Sequence, residues 1–295
     1  MAKGKIIKSL SGFYYIEDEG QIFQCRGRGN FRKRKLTPLV GDQVEYQSSN
    51  LTDGMVLEIY PRENELIRPP IANVDQALVT FSAKEPDFDS GLIDRFLVHI
   101  EAHHIRPLLC ITKMDLVAND KEEFAKINDY LKTYREVGYT VFAISKYQDE
   151  GFKDLKEHLS GKTTVLAGQS GVGKSSLLNK IDPSLDIDTA KISEALNRGK
   201  HTTRHVELLK IAGGYVADTP GFSSLEFATI EALDLTRCFP EIDEYSNDCK
   251  FRGCTHIGEP SCAVKEAVAS GAIASFRYAH YEQFFQEISN RKKRY

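Results

Sequence analysis

Between the apolar run Thr164-Val165-Leu166-Ala167 and an amphipathic stretch at 174–181 lies Gly168-Gln169-Ser170-Gly171-Val172-Gly173-Lys174-Ser175. No other feature constrains the fold as much. A strand that turns through glycines into a helix is the setting in which this pattern wraps a phosphate chain. The glycines let successive backbone N–H groups face one point, and the helix N-terminus adds positive potential. Lys174 is expected to reach the β- and γ-phosphates, the Ser175 hydroxyl to bind Mg²⁺, and Ser176 to complete the nucleotide contacts. A chance glycine-rich turn would not need the Lys-Ser pair at the start of the helix.

The surroundings fit that setting. Strand candidates at 77–81, 108–111, 141–144, 164–167 and 215–217 alternate with helix candidates at 91–104, 121–137, 151–159 and 174–181. This alternation predicts an α/β domain with a mainly parallel sheet covered on both faces. Ahead of it, short β-type runs such as Phe13-Tyr14-Tyr15-Ile16 and Gln43-Val44-Glu45-Tyr46 are separated by Gly and Asp turns. They predict a small barrel. Arg68-Pro69-Pro70 reads as a linker. After about residue 224 the chain reads as helical, with a last helix from about Ser275. The expected domains are 1–66, 67–224 and 225–295.

A phosphate loop does not choose its base. Thr112-Lys113-Met114-Asp115 ends a predicted strand and supplies that choice. A carboxylate accepts two hydrogen bonds from guanine N1–H and its exocyclic amine, whereas adenine would leave it unpaired. The Lys113 stem can cover the base. A helix-start cap is the plainer reading of the tetrapeptide alone; beside a phosphate loop, base reading is favoured. Ser145 and Lys146 close the next strand, where backbone contact with the guanine oxygen is expected, although a plain strand end reads equally well there.

Asp218-Thr219-Pro220-Gly221 follows a strand and fits the Asp-x-x-Gly element. Asp218 would hold Mg²⁺ through water, and the Gly221 N–H would sense the γ-phosphate. In the polar segment Gly199 to His205, Thr203 is preferred over Thr202 as a further Mg²⁺ ligand. Ras-like enzymes orient the attacking water with a Gln just after the glycine. Phe222 occupies that place and cannot do so, which predicts slow intrinsic hydrolysis; His201 and His205 are candidate replacements.

Cys249, Cys254, His256 and Cys262 have the spacing C-x4-C-x-H-x5-C. Such a Cys₃His set is expected to hold one structural Zn²⁺ with no open position. Cys25, Cys110 and Cys238 are expected to be structural thiols. Two basic runs suggest RNA contacts: Arg26, Arg28, Arg32, Lys33, Arg34 and Lys35 around the aromatic Phe31, and Arg291, Lys292, Lys293 and Arg294 in the tail. Either run alone reads as a solvated loop. Because the net charge is only -3, any RNA role rests on such patches. No apolar run approaches the roughly 20 residues that cross a bilayer. The start lacks a signal-peptide apolar core, so a cytoplasmic monomer is expected.

The motif order is unusual: base reading at 112 and 145 precedes the phosphate loop at 168, the threonines at 202 and the Asp-x-x-Gly at 218. This is a circular permutation, tolerable because domain termini often lie close together. With these motifs and the Cys/His cluster, the chain resembles the circularly permuted, ribosome small-subunit-dependent GTPases of bacteria over essentially its whole length. The resemblance implies an N-terminal OB-fold, a permuted P-loop GTPase domain and a C-terminal helical zinc domain. It also implies GTP/GDP, Mg²⁺ and one Zn²⁺ as ligands, and a late assembly factor stimulated by the 30S subunit and its 16S rRNA. An RNA-binding module gated by nucleotide, with incidental hydrolysis, is the alternative; a metabolic P-loop kinase is a third reading.

Overall fold

The computed structural model describes residues 1–29, 31, 34, 36–66, 69–185, 206–217, 225–227 and 230–291. The first unit is a closed five-stranded barrel of β1 (Ala2–Leu10), β2 (Phe13–Asp18), β3 (Gln21–Gly27), β4 (Gln43–Ser48) and β5 (Gly54–Ile59). The strand order is β1-β2-β3-β5-β4, and β1 also pairs with β4 to close the ring. Only β3 and β5 run parallel, which makes this the Greek-key order of an OB-fold. Register shifts between Ile6 and Lys8 in β1, and between Glu45 and Tyr46 in β4, bend the strands enough to close it. Ile6, Ile16, Cys25, Val44, Tyr46 and Val56 fill the interior.

A short hairpin, β6 (Glu65–Leu66) and β7 (Ile71–Ala72), joins the barrel to the second unit. There β8 (Gln76–Ser82), β9 (Arg106–Thr112), β10 (Thr140–Ala143), β11 (Thr163–Ala167), β12 (Leu208–Ile211) and β13 (Gly214–Ala217) form one sheet. Its order is β10-β9-β8-β11-β13-β12, with only the edge strand β12 antiparallel. Among the described residues, four helices cover it: α1 (Ser90–Glu101), α2 (Lys121–Val137), α3 (Glu150–Leu159) and α4 (Lys174–Ile181).

The two faces follow from strand alternation. Ala77, Val79, Phe81, Leu109, Ile111, Val165 and Ala167 pack with α1 and α2 residues such as Phe96, Leu97, Ile127 and Leu131. Their neighbours Leu78, Leu108, Cys110 and Leu166 pack on the other face with Leu155, Leu159, Leu177 and Leu178 of α3 and α4. Asp89 and Asp120 cap α1 and α2 by accepting from the Leu92 and Glu123 N–H groups.

The third unit holds α5 (Pro240–Ser246), α6 (Ala263–Ala269) and α7 (Ser275–Ser289). Its core, which includes Phe239, Ile242, Val264, Tyr281 and Phe284, is continuous with Val98 of α1. The barrel core is continuous with that of the sheet, and polar contacts join the two as well. Lys5 donates to the Thr163 hydroxyl at 2.8 Å, Lys8 pairs with Glu207 at 2.9 Å, and the Tyr215 hydroxyl donates to Glu17 at 2.5 Å.

Candidate nucleotide site and metal centre

Parallel strands bring their C-terminal ends to one edge, where ligands of such sheets gather. The phosphate loop leaves β11 and the base-reading tetrapeptide leaves β9, with β8 between them. Gly168 has φ +130°, and a Cβ there would lie 2.1 Å from the Thr80 carbonyl oxygen. The loop can therefore seat against β8 only with glycine at this position. Lys174 is buried and donates to the Gly168 and Gln169 carbonyls at 2.8 and 2.6 Å. Its ammonium thus sits inside the loop, facing the space that the loop encircles. Ser175 is buried beside it at the start of α4, while Gln169, Ser170, Gly171 and Ser176 are exposed and Val172 is buried.

Two side chains brace the base-reading loop against the phosphate loop. The Thr112 hydroxyl lies 2.5 Å from the Val172 carbonyl and 2.9 Å from that of Phe81. Lys113 adopts a left-handed conformation, φ +57°. Its ammonium donates to the Gly171 carbonyl at 3.0 Å and to the Glu85 carbonyl. Met114 is buried, and its N–H bonds to the Ile144 carbonyl. One Asp115 oxygen accepts from the Lys146 N–H at 3.0 Å, so the loop carrying Ser145 and Lys146 meets the base-reading carboxylate directly. Glu85 escaped the sequence reading because its contribution is a backbone carbonyl, which carries no residue signature.

The other expected site residues divide into two groups. Thr203, His201, His205, Asp218, Gly221, Arg32, Lys33, Lys35, Lys292, Lys293 and Arg294 lie outside the described residues. Phe31 is described and corrects an expectation: it is only 4% exposed and belongs to the barrel core. A ring buried there cannot stack on a base. Arg291 also turns inward, donating to the Phe227 and Ile230 carbonyls. Arg26 lies over the Phe13 ring at 4.9 Å, Arg28 is exposed, and Arg34 pairs with Glu58 at 3.0 Å.

The Cys/His residues converge. The ligand atoms of Cys249, Cys254, His256 and Cys262 all lie within 4.8 Å of one another. Cys249 Sγ is 3.8 Å from Cys262 Sγ, and His256 Nδ1 is 3.6 and 3.4 Å from those sulfurs. Bonds of about 2.3 Å to sulfur and about 2.0 Å to nitrogen around a tetrahedral centre give edges of roughly 3.5–3.8 Å, so the donor set fits zinc. Burial, followed by the adjacent Cys262 thiol, pushes Cys254 up to about 12, so its thiolate form depends on a bound cation. Glu259 shapes the loop by accepting from the Thr255, Ile257 and Gly258 N–H groups. Tyr278 and Tyr281 of α7 donate to the His256 and Thr255 carbonyls.

Known proteins align with this arrangement from end to end. Residues 59–228 match the RsgA GTPase family and residues 3–56 the RsgA N-terminal domain. The small ribosomal subunit biogenesis GTPase RsgA of Bacillus cytotoxicus is 60% identical over 295 residues, covering all of both chains. RsgA 1 of Listeria monocytogenes is 55% identical with the same coverage. Among solved structures, the circularly permuted GTPase YloQ has a TM-score of 0.87 at 52% identity, covering 100% of this chain and 97% of its own. YjeQ from Thermotoga maritima has a TM-score of 0.87 at 37% identity, covering 99% of each chain. With the phosphate-loop motif and the loop at 112–115 braced together in permuted order between an OB barrel and a Cys₃His cluster, these matches show that the chain belongs to the RsgA family of circularly permuted GTPases.

Proposed function

We propose that the protein binds GTP at the β9–β11 edge and hydrolyses it to GDP and phosphate while serving as a late assembly factor of the small ribosomal subunit in the cytoplasm. The observation that carries this reading is the Lys113–Gly171 contact, which makes one guanine-nucleotide pocket of two motifs distant in the chain. The relatives' names supply the subunit.

Asp115 reads the guanine edge, the Lys113 stem covers the base, and Ser145 and Lys146 close its far side. The amides of 168–173 and the Lys174 ammonium hold the phosphates. Ser175, with Thr203 and Asp218, would hold Mg²⁺, which neutralises charge on the β- and γ-phosphates. Cys249, Cys254, His256 and Cys262 would hold one structural zinc. Arg26, Arg28 and Arg34 give the barrel a cationic surface for 16S rRNA. The protein acts as a monomer.

GTP turnover by the purified protein, measured with and without small ribosomal subunits, tests the reading. Slow basal turnover with large stimulation is expected. Turnover indifferent to subunits would reduce the protein to a nucleotide-gated binding module. Sedimentation with subunits should be stronger in a non-hydrolysable GTP analogue than in GDP.

A further inference from the structure

The two outermost cysteines of the first ligand pair, Cys249 and Cys254, enclose four residues: Lys250, Phe251, Arg252 and Gly253. All four are exposed. Phe251 stands out because it is 45% exposed, in a unit where Phe227, Phe239 and Phe284 are buried in the core. The Lys250 ammonium lies 5.7 Å from the Phe251 ring centroid. Among the described residues, neither Lys250 nor Arg252 has an ion-pair partner, although Asp248 is two residues from Lys250. Gly253, at φ +71°, turns the chain back toward the cluster. An open aromatic ring between two uncommitted cations, on a loop held at both ends by a metal cluster, has little folding value. Its exposed ring costs hydration, and its cations compensate no acid.

We propose that Lys250-Phe251-Arg252 is an RNA-contacting tip, in which the Phe251 ring stacks on an unpaired base while the flanking cations engage the adjacent phosphates. This rests on the ribosomal reading above and adds a second contact far from the barrel. Stacking platforms pair an aromatic face with positive charge, and they act on bases that are free of a duplex. A loop clamped between two ligands loses little conformational entropy on binding, which suits a small contact.

Phe251→Leu keeps apolar bulk and removes the π-face; Phe251→Trp restores it. The full-length protein would be titrated in a non-hydrolysable GTP analogue against a fluorescent single-stranded RNA, a blunt RNA duplex of equal charge, and small subunits. Phe251→Leu should weaken the single-stranded RNA and subunits by about 5- to 100-fold, the range for one stacked base. Duplex affinity and basal GTP turnover should not change, and Phe251→Trp should bind as well as the native protein. Lys250→Ala and Arg252→Ala should each lower the salt slope of single-strand binding by about one. Native-like single-strand and subunit affinity in Phe251→Leu would overturn the tip while leaving the ribosomal reading intact. Lost subunit binding with unchanged single-strand binding would assign Phe251 to a ribosomal protein and overturn the RNA contact. Failure of the native protein to bind subunits would remove the ribosomal reading, and the tip with it.

Discussion

The Lys113 ammonium lies 3.0 Å from the Gly171 carbonyl oxygen, joining the base-reading loop to the phosphate loop across 58 residues of chain. The two loops are therefore held directly against each other. Asp115, two residues on, is expected to set the base. Asp115→Asn exchanges an acceptor for an N–H donor, which suits the C2 carbonyl of xanthine and opposes the amine of guanine. GTP and GDP affinity should fall at least ~100-fold, and xanthosine nucleotides should gain. Competition binding with the two nucleotide series checks this; an unchanged preference would disprove the base-site assignment.

Gly168 supplies a sharper steric test. Its φ of +130° and the 2.1 Å approach to the Thr80 carbonyl leave no room for a methyl group. Gly168→Ala must push β11 away from β8 or unseat the loop. Nucleotide affinity should drop more than ~10-fold, with about 1–3 kcal/mol lost in stability. Gly138→Ala is the control. Gly138 also has positive φ, but nothing lies within 4 Å of its would-be Cβ. It should cost stability of ~1 kcal/mol and leave nucleotide affinity unchanged. Titration with a fluorescent GDP analogue, alongside urea unfolding, separates the two effects.

The nucleotide motifs stand out in the sequence because the chemistry they suggest is local. A phosphate loop needs glycines and Lys-Ser in succession, and a base-reading loop needs its carboxylate next to a strand end. Sheet and helix positions were equally legible, since a strand buried along its whole length, such as β8, reads as a nearly continuous apolar run. What escaped depends on contacts across long separations. Phe31 sits in a basic run and reads as a stacking residue, yet the closing barrel draws it inside. Arg277 belongs to a residue type that is rarely buried, yet it is fully buried against Asp94, 183 positions away. Neither fate has a signature within ten residues of the side chain.

The seam between barrel and GTPase sheet carries a pH dependence. The Tyr215 hydroxyl, followed by Lys210, holds the Glu17 carboxyl below its ordinary value of 4.5. A depressed carboxylate stabilises the fold fully above its unfolded value, and that contribution disappears as pH falls through the folded one. Tyr215→Phe should therefore destabilise the protein by about 1–2 kcal/mol at neutral pH. The gap between variant and native protein should narrow as pH drops below about 4.5. Urea unfolding across that range checks it; a gap independent of pH would assign the loss to packing alone.

The C-terminal unit hangs on one buried charge cluster. Asp94 of α1 accepts from Arg277 at 2.5 Å, His280 Nδ1 at 2.6 Å and the Tyr134 hydroxyl at 2.7 Å. The same guanidinium forks onto Glu241 at 2.6 and 3.0 Å and lies 4.6 Å from the Phe239 ring centroid. Arg277→Met strands two carboxylates in a region with almost no water, so about 3–5 kcal/mol should be lost. Arg277→Lys keeps the charge but cannot fork, and should recover only part of that. Adding Asp94→Asn to Arg277→Met removes one of the two stranded charges and should cost less than the two single losses together. The bonds join α7 to α1 and involve none of the residues of the phosphate loop or of the loop at 112–115. Nucleotide affinity should survive in all three variants, whereas limited proteolysis should release the C-terminal unit first from Arg277→Met. Equal protease resistance in native protein and Arg277→Met would show that the apolar contacts around Val98 and Phe284, rather than this charge cluster, hold the two units together.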